Sequence, residues 1–170
     1  MLHLDNLLVP YKNFCGNWRA FNETLYNHFS DDFIEDSPTY MNKEVGFKEI
    51  QKVDGKEETF WHITSDESKI YRNGQIIKQR TPDIKRSERI RWIKEIIDNS
   101  HDASVKVWVE RINGQVRHHL WYNDEFLVVL GEYPKYPFIR LITAFYVNPS
   151  NRLRYQKKYD EYMQYQKKKA

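Results

Sequence analysis

Phe138-Ile-Arg-Leu-Ile-Thr-Ala-Phe-Tyr-Val147 is the stretch on which the fold turns. Ile139, Leu141, Phe145 and Val147 alternate with Phe138, Arg140, Ile142, Ala144 and Tyr146, and β-branched and aromatic side chains dominate. A period of two with that composition predicts a strand. Both faces carry bulk, so both are expected to be covered, which makes the strand central. Thr143 breaks the Leu141/Phe145 stripe, and its hydroxyl needs a partner or a cleft.

The sheet grows outward from that strand. Val105, Val107 and Val109 alternate with Lys106, Trp108 and Glu110 ahead of Asn113-Gly114, the dipeptide that best favours a type I′ hairpin turn. Folding back there sets Val109 opposite His118, Val107 opposite Leu120 and Val105 opposite Tyr122. On the other face it sets Glu110 opposite Arg117 and Trp108 opposite His119. Asn123-Asp124 is a second tight turn, returning through Phe126 to Leu130, and Tyr133-Pro-Lys-Tyr-Pro137 reads as a loop. Past the central strand, Asn148 and Pro149 start a helix with Tyr155, Tyr159 and Tyr162 as its sticky stripe. The lysines at 157, 158 and 167–169 form either a solvated face or a phosphate contact.

Upstream, Thr81-Pro82-Asp83 opens a helix running to about Asn99, with Thr81 as N-cap. Ile90, Ile93 and Ile97 form one stripe, and Arg86 falls on it, four residues before Ile90. An arginine there needs an anion or a carboxylate. Val45 to Val53 alternates weakly, Asp54-Gly55 signals a hairpin, and Glu58 to Thr64 reads as the returning strand. Ser65 to Gln79, with Asn73-Gly74 as a turn, reads as a polar loop or flap. Leu2, Leu4, Leu7 and Leu8 suggest a short helix stopped near Pro10, and Trp18, Phe21, Leu25 and Phe29 a second one. Asp31, Asp32, Glu35 and Asp36 read as a solvated loop. The sum is α+β: an antiparallel sheet of four to five strands packed by N-terminal helices, one central helix and a C-terminal helix. Residues 1–44 form an N-terminal helical region and 45–170 the sheet domain, together compact.

Composition bounds the function. A chain of 170 residues, 40% of them apolar, can bury one core, and 15% aromatic residues give it ample packing material. A net charge of +3 is too small to name nucleic acid as a partner by itself. The single cysteine, Cys15, excludes an internal disulfide and fits a reducing, cytoplasmic location. The start, Met1-Leu-His-Leu-Asp5, has no basic segment followed by an apolar one, and no run nears the roughly 18 apolar residues a membrane span needs. CxxC and His-Glu-x-x-His are absent. His118 and His119 point to opposite faces of a strand, so they do not share a metal. Neither metal nor other cofactor is expected.

Four stretches taken together resemble a known family: Phe60-Trp-His62; Lys85-Arg-Ser-Glu-Arg-Ile-Arg-Trp-Ile93; Phe126-Leu-Val-Val-Leu130; and Leu141-Ile-Thr-Ala-Phe-Tyr-Val147 with Asn151 to Tyr159. Their order and spacing are similar to the phage-associated branch of the barnase–EndoU–colicin–RelE (BECR) nucleases, over residues 58–162. The resemblance implies an antiparallel sheet with flanking helices and metal-independent RNA cleavage. It also implies roles for His62 on the first core hairpin, Arg86 and Arg89 in the helix motif, and Thr143 and Tyr146 on the strand. The run Gly-Glu-Tyr-Pro-Lys-Tyr after Leu130 departs from the family, which often carries an arginine there.

Such chemistry needs a base for the 2′-hydroxyl proton, an acid for the leaving 5′-oxygen, and a cation for the charge growing on phosphate. Histidine suits proton transfer and arginine the charge. His62 is the first candidate for proton transfer, Arg86 for the phosphate clamp, Thr143 for a donor to phosphate, and Tyr146 for stacking or orientation. Each also has a plain structural role: a strand histidine, a buried ion pair, a strand-favoured residue, core packing. Glu110, Arg117 and His119 form a second set, sharing one sheet face if the register holds. A cross-strand Glu–Arg pair is also common sheet decoration. The expected function is a cytoplasmic endoribonuclease, a hydrolase-like toxin or effector of a phage or mobile element, with RNA as substrate and an antitoxin or immunity protein as partner. The rivals are a non-catalytic RNA- or protein-binding module on the same sheet, and a structural partner that uses Trp108, Trp121 and the tyrosines.

Overall fold

The computed structural model describes residues 1–49 and 52–170; Ile50 and Gln51, inside the weakly alternating stretch, lie outside the described residues. Two 3-10 turns (Asp5–Leu7, Tyr11–Phe14) precede helix α1 (Trp18–Ser30), which runs on into one π turn (Asp31–Glu35). Then come β1 (Thr39–Tyr40), β2 (Lys43–Gly46), β3 (Lys52–Val53), β4 (Lys56–Glu57), α2 (Glu58–Thr64), β5 (Ser65–Arg72) and β6 (Gln75–Pro82). The second half holds α3 (Ile84–Ser87), α4 (Trp92–Asp98), β7 (Val105–Ile112), β8 (Gln115–Tyr122), β9 (Phe126–Gly131), β10 (Ile139–Tyr146) and α5 (Pro149–Lys169). The fold is α+β. Its main sheet has six strands in the order β1–β2–β10–β9–β8–β7. That is more than four to five, and the sheet is mixed rather than antiparallel, because β2 adds in parallel to the edge of β10.

The β7–β8 hairpin has the expected register on both faces, including Glu110↔Arg117 and Trp108↔His119. Asn113 (φ 51°) and Gly114 (φ 76°) supply the left-handed pair that the turn requires. The central strand is covered on both sides, as its bulk implies. One face joins Leu141 and Ala144 to Leu120, Val128 and Leu130 and to the helix residues Phe21, Leu25, Phe29, Phe60, Ile63, Ile93 and Ile97. The other joins Trp108, Trp121, Leu127, Val129 and Val147 to Phe145 and to Tyr155, Tyr159 and Tyr162 of α5. Leu141 and Phe145 therefore do not share a stripe. A β-bulge between Leu141 and Thr143 shifts the phase, so the apparent interruption at Thr143 is a change of face.

The N-terminal region shares this core: Leu4, Val9 and Phe21 pack in the same cluster as Val128 and Leu141. A boundary at residue 45 falls inside β2. The leucine-rich start makes only a 3-10 turn, while α1 forms where the aromatic spacing places it.

Asp31–Glu35, read as part of a solvated loop, is the π turn that extends α1 and buries Phe33, and three further segments differ from the sequence reading. Glu58–Thr64 is a helix, not a strand. Phe60, Ile63 and Thr64 recur at helical spacing on its buried side, and the Thr64 hydroxyl donates to the Phe60 carbonyl at 2.8 Å. Tertiary burial overrides the strand-like composition. Ser65–Gln79 is no loop: β5 and β6 pair along their whole length from Ser65↔Pro82 to Arg72↔Gln75. That pairing takes Thr81 and Pro82 into β6, so the N-cap passes to Asp83, whose carboxylate accepts from the Arg86 amide at 3.0 Å. The central helix is two pieces, α3 and α4, parted by tighter i to i−3 bonds at Arg89, Ile90 and Trp92.

Candidate functional site

Helix α2 buries Phe60 and Ile63 and turns Glu58, Thr59 and His62 toward a cleft of about 160 Å³. The opposite wall is Arg140, Leu141 and Ile142 of β10, with Tyr133 from the β9–β10 loop and Lys48 from beyond β2. The helical spacing of four sets His62 Nε2 3.4 Å from Glu58 Oε1. Lys48 Nζ stands 3.7 Å from the other carboxylate oxygen. The His62 side chain is 41% exposed, so a ligand can reach it.

Arg140 is the cation of the cleft. It faces Gly131 on β9 and Gly46 on β2, so neither flanking strand puts a side chain beside it. A Cβ at Gly46 would come within 3.0 Å of the Phe138 ring, and one at Gly131 would collide with Nη1 of Arg117. The two glycines therefore leave room for arginines and aromatic rings along one row: Glu110, Arg117, Gly131, Arg140, Gly46. The Arg140 guanidinium lies 4.1 Å from the Tyr136 ring centre and 4.7 Å from that of Tyr133. Its Nε is buried and has no hydrogen-bond partner among the described residues. Arg117 donates to the Tyr133 hydroxyl at 3.1 Å, which fixes the ring between the two arginines. A second cavity, of about 310 Å³, opens on the far side of Arg140 between Phe33, Phe47, Tyr136 and Phe138. The arrangement offers a histidine–carboxylate pair, a planar cation held by rings, and flat aromatic surface: proton transfer, anion binding and base stacking.

The residues singled out from sequence divide between this cleft and elsewhere. His62 lines it, though from a helix rather than a hairpin strand, and Arg117 borders it through Tyr133. Arg86 does not line it. Its guanidinium donates to the His62 carbonyl at 2.8 Å and the Ser65 carbonyl at 3.0 Å, and meets Asp66 at 2.5 Å, so its fork is spent on the joint between α2 and β5. Arg89 makes two hydrogen bonds to Glu125, at 2.6 and 3.1 Å. Tyr146 packs on the core, with the Lys85 ammonium 4.7 Å and the Arg89 guanidinium 4.8 Å from its ring centre. Thr143 lies in the cross-strand row of Trp108, His119 and Val129, on the face that α5 covers.

Glu110 and His119 share a face as the register implied, but α5 closes over them. Lys158 meets Glu110 at 2.9 Å, and the Trp108 indole donates to it at 3.1 Å. Burial pushes the Glu110 carboxyl up, yet the hydrogen bonds from Lys158 and Trp108 outweigh it and hold the group below its usual range. His119 stacks flat on Trp108, with ring centres 4.8 Å apart. Burial drives its pKa down to about 4, against the pull of Glu110. A 7% exposed, neutral imidazole is a poor proton carrier at neutral pH. His118, facing the core, is held by Tyr40 at 3.1 Å and Glu132 at 2.6 Å.

Glu58, Lys48, Tyr133 and Arg140 escaped the sequence reading. The Glu58–His62 spacing was visible and would have signalled a pair once the segment was read as helical. The glycines beside Arg140 are 9 and 94 positions away, and only the sheet brings them together. Among the described residues, no three His, Cys, Asp or Glu side chains gather at one point, and no helix is long and apolar enough to cross a membrane. Comparison with protein-family models, curated proteins and solved structures finds no match.

Proposed function

We propose that the protein is an endoribonuclease that cleaves RNA through its own 2′-hydroxyl, with the α2–β10 cleft as active site. The observation that carries this reading is the meeting of a reachable histidine–carboxylate pair with a ring-stacked arginine whose Nε has no partner among the described residues. Glu58 is the base: its carboxylate takes the 2′-hydroxyl proton as the oxygen attacks phosphorus. His62, as imidazolium beside that carboxylate, gives its proton to the 5′-oxygen as the P–O5′ bond breaks. The products are a 2′,3′-cyclic phosphate and a free 5′-hydroxyl. Arg140 and Lys48 hold the charge that builds on the phosphate oxygens, and Tyr133 and Tyr136 offer stacking surfaces for the flanking bases.

A nuclease of this kind would arrest growth when expressed alone, as a toxin or effector of a mobile element does, and a protein inhibitor that plugs the cleft would be its antitoxin or immunity partner. The second reading is a module that binds RNA without cutting it; the 3.4 Å histidine–glutamate distance, long for a hydrogen bond, favours it. Incubating purified protein with an RNA oligonucleotide and its all-deoxy counterpart separates the two. Cleavage of RNA alone supports the nuclease, and binding with both strands left intact supports the module.

A further inference from the structure

The β5–β6 hairpin stands apart from the main sheet as a two-stranded ribbon of its own, eight residues on each side. At roughly 3.3 Å per residue it projects on the order of 26 Å. From Ser68 to Pro82 it contains Lys69, Arg72, Lys78 and Arg80 and no acidic residue. The pairing register sets Lys69 directly opposite Lys78, a like-charge pair that destabilises a ribbon standing alone. The carboxylate nearest them, Glu67 at the root, is divided between Lys78 at 3.3 Å and Arg80 at 3.4 Å. One step outward on the same face, Tyr71, 79% exposed, pairs with Ile76, 56% exposed. The root of this face opens into a cavity of about 330 Å³ lined by Val53, Asp54, Trp61, Glu67, Lys78 and Arg80, so two carboxylates confine the phosphate-holding stretch to the arm beyond Glu67, and Trp61 is the neighbour of His62. Arg86 ties the His62 and Ser65 carbonyls together, so the ribbon is braced to the helix that carries the histidine.

We propose that this face of the arm is a docking surface for a nucleic-acid strand. Lys69, Lys78 and Arg80 hold successive phosphates, Tyr71 stacks a base, and Trp61 leads the strand toward the cleft. Glu67 offsets only one of the three positive charges of Lys69, Lys78 and Arg80, a bound anion offsets the remainder, and the absence of acidic side chains over the outer ribbon is the complement of a polyanion. The proposal rests on reading the neighbouring cleft as an RNA site, but its test needs no cleavage.

The probe is a labelled single-stranded oligonucleotide with 2′-O-methyl sugars, which has no free 2′-hydroxyl to attack. Its affinity is titrated against salt. Each phosphate contact to a single strand adds about 0.7 to the slope of log affinity on log salt. The Lys69→Gln/Lys78→Gln variant is therefore expected to lose about 1.4 from that slope, while its thermal midpoint stays near wild type, because the repulsion and the exposed Lys78–Glu67 pair go together. Tyr71→Ala is expected to weaken binding and keep the slope. Wild-type affinity and slope in the lysine variant overturn the proposal, whether the arm then proves idle or docks a protein through Tyr71 and Ile76. The two readings fail separately. A protein that grips the probe through the arm yet never cuts RNA keeps the arm and loses the nuclease; one that cuts RNA with an arm-independent slope does the reverse.

Discussion

At the scale of single residues, the account depends on His62 and Arg140. His62→Ala is expected to lower the RNA cleavage rate by about 10²–10⁴-fold, the usual contribution of a positioned acid or base. Its half-exposed side chain contributes little to the core, so the thermal midpoint should stay near wild type. Arg140→Lys keeps the charge but loses the fork and the ring stacking, and should also impair cleavage. Gly131→Ala tests the space beside it, since a methyl group there must displace the Arg117 guanidinium from Tyr133. Activity should fall with little unfolding, because the displaced group is the far end of a flexible side chain. His119, buried, and Asp32, half-buried, give pH effects of opposite sign. The fold depresses His119 from 6.5 to about 4, so its contribution is complete above pH 6.5 and is lost as pH falls toward 4. Burial raises Asp32 from 3.8 to about 6, so its contribution is complete below pH 3.8 and is lost as pH climbs through 6. Urea melts across that window should show a shallower acid loss in His119→Gln and a steeper one in Asp32→Asn.

Among the elements, α2, its arm and β10 decide the site. Arg86 is their rivet, 12% exposed and bound to two carbonyls and two carboxylates. Arg86→Ala leaves those acceptors unpaired and should destabilise by about 3 kcal/mol, read as a lower denaturation midpoint; a loss under about 0.5 kcal/mol, the scale of an ordinary surface change, would contradict the role. The same elements mark where the sequence could and could not be read. The β7–β8 register was legible because Asn113-Gly114 fixes the turn and the valines fix the faces. The central strand was legible from its period, but its bulge was not, since one extra residue looks like one misplaced threonine. Helix α2 was misread because five of its seven residues, Thr59, Phe60, Trp61, Ile63 and Thr64, carry strand propensity, and only contact with α1 and the sheet decides otherwise. With α2 misread, the Glu58–His62 pair was invisible, and Arg86 looked like a clamp because an arginine on an apolar stripe needs acceptors of some kind. Backbone carbonyls filled that need.

In the whole molecule, the sheet has two faces with different duties. One is closed by the N-terminal segment, α1, α2, α3 and α4 around the main core. The other is closed only in part: α5 lays Tyr155, Tyr159 and Tyr162 over the tryptophans and leaves the Arg117–Arg140 end of the row beside a cleft. That division explains why His119, correctly placed on the face of Glu110 and Arg117, is nonetheless enclosed, while His62 reaches the cleft from a helix at the sheet edge. The base, the acid and the charge-holding cations proposed for cleavage are all side chains of the cleft, so turnover should persist in excess EDTA. The most direct test is an analysis of product ends after digestion of a defined RNA in EDTA by wild type and by His62→Ala. The account predicts 2′,3′-cyclic phosphate and 5′-hydroxyl ends from the wild type, and almost no product from the variant at an unchanged thermal midpoint. Intact RNA with wild type, ends bearing a 5′-phosphate, or equal cutting by the folded variant would contradict it.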